Sequence, residues 1–309
     1  MITFSALSEI PTGFGPSAVT IGKFDGVHAG HRAVITQLRA AAARENLRSV
    51  VVTFDRHPLA LLAPEKCPDA LVGPDQKMDL LAGTGVDATL MLAFDRALSM
   101  QSAEDFVTSI LVDALSARRV LVGHDFRFGH KGAGDVALLI ELGKTYGFSV
   151  EVIADVTPKG DRRVSSTWIR ELLSEGKVAD AALLLGHSPT VRGMVVHGAK
   201  RGRELGYPTA NLSPESHGLI PADGVYAGWL EVGNARYPAA ISVGNNPTFD
   251  GVAQKQVEAY VLDEDLDLYD QVVDVQFVER IRGMVAFTGI EPLIVQMGDD
   301  VERVRQLLS

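Results

Sequence analysis

At 309 residues the chain is longer than one ordinary domain and suits two, each large enough to bury a core of its own. Its 46% hydrophobic and 22% charged residues, with a formal net charge of −10 and no apolar stretch of spanning length, exclude disorder, membrane insertion and general binding to a phosphate backbone. The opening MITFSALSEIPTGFG has no basic segment leading into an apolar run, and Cys67 is the only cysteine, so a reducing, cytoplasmic setting is expected.

Along the first part of the chain, Ser17 to Gly22 reads as a buried strand. A glycine-containing polar loop follows, then a helical pattern from about Arg32 to Glu45 and a strand from Ser49 to Phe54. A strand-like run at Ala88 to Leu92 precedes an amphipathic stretch, Ala103 to Leu115. The run Arg119 to Gly123 leads through a loop to a helix at Val136 to Tyr146 and a strand at Phe148 to Ile153. Such alternation predicts a doubly wound parallel sheet, with ligands beyond the carboxyl ends of its strands.

Ser165 to Leu185 reads as two short helices separated at Gly176, and Gly186-His187-Ser188-Pro189 breaks the pattern. From there the apolar residues come in short runs: Val191 to Val196, Val225 to Val232, Arg236 to Val243, Val257 to Leu262 and Gln271 to Phe277. A helical ending runs from about Ile290 to Leu308. This predicts a small antiparallel β-barrel with a terminal helix, and domains at 1–186 and 187–309.

The loop after the first strand ends Val27-His28-Ala29-Gly30-His31, where a helix begins. His28 and His31 are three apart, so both imidazoles can face one point, and Gly30 lets a ligand approach the backbone. A triphosphate there would meet free amides, the positive helix end and two imidazole donors, an arrangement suited to nucleotidyl transfer. Solvated or capping histidines fit the same spacing, and two ligands with no cysteine nearby make a poor zinc site.

Further along, Gly193 to Leu212 reads GMVVHGAKRGRELGYPTANL. Gly198, Gly202 and Gly206 alternate with Lys200, Arg201 and Arg203, which can wrap phosphates with amides and cations. Thr209 and Asn211 carry hard oxygens of the kind that hold Mg²⁺. A glycine-rich hairpin ending in a Pro-Thr turn would explain any one of these features alone. Two other patterns are decoys. Gly143-Lys144-Thr145 lacks the earlier glycine of a P-loop, because Leu138 occupies its place. Gly132 to Ala137 with Asp155 imitates a dinucleotide fingerprint, but the long preceding loop argues against it and against hydride transfer.

Taken together, these segments resemble the bifunctional riboflavin kinase/FAD synthetases of bacteria. Gly22-x-Phe-Asp-Gly-Val-His-x-Gly-His31 is similar to the His-x-Gly-His signature of the nucleotidyltransferases. Thr53-Phe-Asp-Arg-His-Pro58, Gly123-His-Asp-Phe-Arg-Phe-Gly129 and Val164-Ser-Ser-Thr-Trp-Ile-Arg170 follow in the family's order. So do the kinase-like Gly-Tyr-Pro-Thr-Ala-Asn211, Asp223 to Tyr226, Ser242 to Phe249 and Val257-Glu-Ala-Tyr260.

The resemblance implies two reactions, phosphorylation of riboflavin to FMN and adenylylation of FMN to FAD, both with ATP and Mg²⁺. It places ATP phosphates at Gly22, Phe24, Asp25, Gly30, Ser165, Ser166, Thr167 and Arg170 beside His28 and His31, and flavin at Asp55, His57, Asp125, Phe126 and Phe128. In the kinase it implies ATP at Gly198, Lys200, Gly202, Gly206, Pro208 and Asn246, Mg²⁺ at Thr209 and Asn211, and Glu258 as general base. Lying among apolar strand residues, a partly desolvated Glu258 would be more basic and able to take a hydroxyl proton; an edge charge is the plainer alternative. Riboflavin, FMN and ATP are thus the expected partners, with no nucleic acid or membrane, and the chain a monomer or weak homo-oligomer.

Overall fold

The computed structural model describes residues 1–155, 157, 162–198, 205–245 and 255–309. By internal packing it divides into two compact units, Met1–Ala70 with Pro74–Ser165, and Leu71–Gly73 with Ser166–Ser309.

In the first unit, β1 (Ile2–Phe4), β2 (Ser17–Ile21), β3 (Arg48–Phe54), β4 (Ala88–Leu92), β5 (Ala117–Gly123) and β6 (Ser149–Ile153) form one parallel sheet. Its order is β1-β4-β3-β2-β5-β6. Both faces are buried, which is why its strands read as continuous apolar runs rather than as alternation. Val19, Ile21, Val50, Val52, Val120 and Val122 face one core cluster. Ala18, Val51 and Leu121 face the other, where Ile35 and Leu38 of α1 (Ala29–Glu45) cover them. Because β2 has β3 on one side and β5 on the other, the chain reverses its winding there. The carboxyl ends of β2 and β5 therefore flank the crevice where such sheets bind ligands.

Short helices fill the connections. They are α2 (Pro58–Leu62), α3 (Pro74–Ala82), α4 (Arg96–Met100), α5 (Ala103–Phe106) and α6 (Val136–Tyr146). The amphipathic stretch after Ala103 changes character partway, continuing as a π-helical segment, Val107–Ala114. Its beginning bends toward side-chain competition, for Thr108 and Ser109 hydroxyls donate to the Glu104 and Asp105 carbonyls. Both decoys resolve plainly: Lys144 and Thr145 lie inside α6, and the Gly134 backbone is paired with Phe128.

In the second unit, α7 (Ser166–Ser174) and α8 (Val178–Leu185) are joined through Gly176 at φ +76. A closed barrel follows, built of β7 (Thr190–Val196), β8 (Ala210–Leu212), β9 (Gly224–Val232), β10 (Ala235–Asn245), β11 (Lys255–Val261) and β12 (Val272–Arg282). The order around it is β10-β11-β8-β7-β12-β9, all antiparallel.

The terminal helix α9 (Ile290–Leu308) is laid on the outer wall. There Val304 joins Ala227 and Leu262, with Ala240, Tyr260 and Ile281 around them. The Arg282 guanidinium grips Asp300 with Nε–Oδ1 at 3.0 Å and Nη2–Oδ2 at 2.7 Å, while Gln296 donates to the same carboxylate at 3.0 Å. Asp300 is only 5% exposed, so its removal strands a largely desolvated guanidinium. Asp300→Ala is expected to cost about 3 kcal/mol, read as a lower urea midpoint by tryptophan fluorescence; an unchanged midpoint would mean apolar packing alone holds α9.

Candidate active sites

The loop after β2 is shaped by its backbone. Phe24 and Val27 adopt φ 47 and 39, and Gly26 adopts φ 77. These left-handed turns bring the chain round to start α1 at the switch point. Phe24 is buried, and its ring lies 4.9 Å from that of His31, so the loop stands on its own aromatic floor. What Phe24 has to offer a phosphate is its backbone. Thr53 Oγ1 ties the loop down by donating to the Lys23 carbonyl at 3.1 Å.

His28 caps α1, its Nδ1 accepting from the His31 amide at 3.4 Å. An accepting Nδ1 leaves the proton of the neutral ring on Nε2, a donor. The His28 and His31 rings stack at 3.6 Å with 16° between planes. A Cβ on Gly30 would stand 3.1 Å from the His28 ring, so glycine clears the space beside it. Burial pushes the His31 imidazole well below its ordinary pKa, and the neighbouring His28, Lys23 and Lys77 push the same way. His31 is thus neutral at physiological pH, and its Nδ1 is buried with no hydrogen-bond partner among the described residues. Orphaned buried atoms of this kind call for an occupant.

Beside this loop, at the end of β3, Asp55 Oδ1 accepts from the Phe94 amide at 2.8 Å and its Oδ2 from Arg56. Partial desolvation raises its pKa, but those donors outweigh it and hold the carboxyl below its usual range. His57 caps α2 by accepting from the Leu59 amide at 3.1 Å, and its Nε2 lies 3.4 Å from Lys23 Nζ. Past β5, Asp125 is exposed and paired with Arg163 at 3.0 Å, which also reaches Asp155 at 3.5 Å. Phe126 and Phe128 stack at 5.4 Å. Phe128 belongs to the core and carries the turn, pairing through its backbone with Gly134, whereas Phe126 is only half-buried.

Val164 reaches this loop region, its carbonyl lying 3.7 Å from the Cβ position of Gly30. Ser165 ends the first unit by packing; Ser166, Thr167 and Arg170 are on α7 of the second.

In the barrel, residues alternate along β11. Val257, Ala259 and Val261 are buried while Glu258 and Tyr260 face outward, half-exposed. Glu258 is therefore on the outer wall rather than inside an apolar strand. It is in register with Asn211 of β8 and Ser242 of β10. Thr209 Oγ1 donates to Glu258 Oε2 at 3.4 Å, and Asn211 Nδ2 donates to the Thr209 carbonyl at 3.1 Å. Gly198 closes over this group: a Cβ there would fall 2.5 Å from the Asn211 amide carbon and oxygen.

Gly206 adopts φ +85 in open space, Pro208 is exposed, and the Tyr207 ring stands edge-on to Tyr260 at 5.3 Å. Lys200, Gly202 and Asn246, expected at the ATP phosphates, lie outside the described residues. Among the described residues no three His, Cys, Asp or Glu side chains converge as a metal cage. The oxygens of Thr209, Asn211 and Glu258 suit instead a Mg²⁺ that keeps waters and substrate phosphates in its shell.

Two family models match the chain in tandem, FAD synthetase over residues 12–168 and riboflavin kinase over 185–308. The bifunctional riboflavin kinase/FMN adenylyltransferase of Escherichia coli is 37% identical over 94% of this chain and 92% of its own length. The protein of that name from Listeria monocytogenes is 35% identical over the same shares. The chain belongs to this family. A crystal structure from Streptococcus pneumoniae described as a macrolide-efflux protein covers 99% of both chains with TM-score 0.88 and 33% identity. That description concerns the pneumococcal protein; no helix among the described residues here is long and apolar enough to cross a membrane.

Within the frame of a riboflavin kinase/FMN adenylyltransferase, two motif segments of the first unit meet: the loop after β2 touches β3 and the segment after it through Thr53 and through Lys23 and His57. The loop after β5 leaves the sheet beside β2. Motif reading passed over Lys77 of α3, which reaches the end of β3. It is part of no local pattern, being a lone lysine on a short helix.

Proposed function

We propose that this chain phosphorylates riboflavin with ATP, releasing FMN and ADP, and adenylylates FMN with a second ATP, releasing FAD and pyrophosphate. What carries the reading is the coexistence in one family member of a stacked histidine pair at the sheet's switch point and a Thr209–Asn211–Glu258 oxygen cluster on the barrel.

In the kinase step Glu258 takes the proton of the riboflavin 5′-hydroxyl. The freed oxygen bonds to the γ-phosphorus of ATP, and the bond from that phosphorus to the bridging oxygen breaks, so ADP leaves with the electron pair. Thr209 and Asn211 would hold Mg²⁺, which supplies charge neutralisation at the ATP phosphates. Gly198, Lys200, Gly202, Gly206, Pro208 and Asn246 are assigned to ATP by motif.

In the second step an oxygen of the FMN phosphate bonds to the α-phosphorus of ATP as the bond to the bridging oxygen breaks and pyrophosphate departs. The nucleophile is already anionic, so positioned donors matter more than a base. His28 and His31, as imidazole N–H donors, and the amides from Gly22 to Gly30 with Asp25 nearby are the assigned phosphate group. Ser165, Ser166, Thr167 and Arg170 join them on the strength of the motif. The segments holding Asp55, His57, Asp125, Phe126 and Phe128 border the flavin. Functional domains of 1–186 and 187–309, a cytoplasmic setting and a monomer or weak homo-oligomer complete the reading.

Purified full-length protein incubated with riboflavin, ATP and Mg²⁺, with flavins followed by chromatography, should yield FMN and then FAD, and EDTA should stop both. Flavin that binds but is never converted would make the chain a flavin carrier instead.

A further inference from the structure

Lys77 is a lysine placed where lysines rarely are: it is only 7% exposed. Its Nζ donates to the Phe54 carbonyl at 2.8 Å, at the carboxyl end of β3. Among the described residues that is its one hydrogen bond, and no carboxylate stands within ion-pair distance. Two of the three ammonium protons are thus unspent in a place poor in water. Burial disfavours the ammonium and holds its pKa below the ordinary lysine value, while Asp25 of the loop after β2 and Asp55 of the segment after β3, nearby but not touching, act in its favour. The His31 ring is near enough to feel the lysine's charge.

A buried cation without a paired anion is costly, and Phe54 alone could be satisfied by a neutral donor. The position is also specific, since both carboxylates that act on Lys77 come from the carboxyl ends of adjacent strands, Asp25 after β2 and Asp55 after β3, on the side of the sheet where ligands bind. The geometry points to Lys77 as a phosphate-contacting residue of the adenylyltransferase, its free ammonium protons taken by the phosphates of ATP and released pyrophosphate. This rests on the adenylyl-transfer reading above. A cation there neutralises charge that builds on the leaving pyrophosphate, which the neutral imidazole of His31 does only as a dipole.

The test uses Lys77→Gln, Lys77→Met and Lys77→Arg in the full-length chain. Glutamine can still donate to the Phe54 carbonyl but has no charge, so it separates a phosphate contact from a structural tie. Lys77→Gln and Lys77→Met are expected to lose FAD formation from FMN and ATP by about 10²-fold, with inhibition by inorganic pyrophosphate weakened by about tenfold or more. Lys77→Arg should recover much of both. Riboflavin phosphorylation by the same preparations, expected within about twofold of wild type, reports that the chain is folded.

Lys77→Gln with wild-type FAD formation and unchanged pyrophosphate inhibition overturns the proposal and leaves Lys77 as a strut. Impaired turnover with unchanged pyrophosphate inhibition overturns it too. Wild-type protein that makes no FAD from FMN is a different result and sinks the adenylyl-transfer reading itself.

Discussion

Glu258→Gln in the full-length chain is expected to reduce FMN formation from riboflavin and ATP by about 10³-fold while FAD formation from added FMN continues at the wild-type rate. The size follows from losing a positioned general base, which contributes typically 10²–10⁴-fold. Selectivity follows from placement, because Glu258 belongs to β11 of the barrel and the histidine pair to the other packing unit. Glutamine preserves the side-chain shape and can still accept from the Thr209 hydroxyl, now 3.4 Å from the carboxylate. The outer-wall register with Asn211 and Ser242 should therefore survive. Glu258→Asp draws the carboxylate back by one methylene and should leave an intermediate rate. Kinase activity in Glu258→Gln within about tenfold of wild type would transfer the base role to another group.

Much of this organisation was legible in the chain because periodicity and packing agreed. Val136–Tyr146 is a helix with Asp135 at its start, accepting from Leu138, and Gly147 at φ +82 as its end. Those local signals coincide with the buried face of Leu139 and Leu142. Where local signals were short, the sequence was silent. Ile2–Phe4 is an edge strand specified by its pairing with Ala88, Thr89 and Leu90, a partner far away in sequence. Ala210–Leu212 follows Pro208-Thr209 and reads as the tail of a turn. It becomes a strand only because Val195 and Glu258 lie on either side of it.

The candidate sites show the same division. The motif residues carried glycines, histidines and hydroxyls at telling spacings, so they could be named from the sequence. Their environments could not. Glu258 looked embedded among apolar neighbours, yet alternation puts those neighbours inside the barrel and the carboxylate outside. Phe126 and Phe128 looked equivalent, yet Phe128 is core and Phe126 is half open. Lys77 depends wholly on three-dimensional placement, as nothing in PDQKMDLLA distinguishes a buried lysine from a solvated one.

His31→Asn should lower adenylylation by about 10²–10³-fold, the scale for losing one donor aimed at developing charge, with riboflavin phosphorylation untouched. Its pH behaviour separates a donor role from a charged one. Burial, together with His28, Lys23 and Lys77, holds the folded-state pKa of His31 well below 6.5. Between that depressed value and about pH 6.5 the unfolded chain takes up a proton that the folded chain refuses. Stability contributed at this position is therefore fully present above about pH 6.5 and is lost progressively as the pH falls below it.

Thermal midpoints measured from pH 7.5 to 5 should accordingly fall for the wild type, and less steeply for His31→Asn, even if the variant starts lower for want of the 3.6 Å ring stack. Wild-type adenylylation should show no inflection near pH 6.5 from this imidazole, because it is already neutral there. Parallel slopes for the two proteins, or a wild-type rate that climbs as the pH drops through 6.5, would mean that His31 is protonated in the folded chain and meets phosphate as a cation.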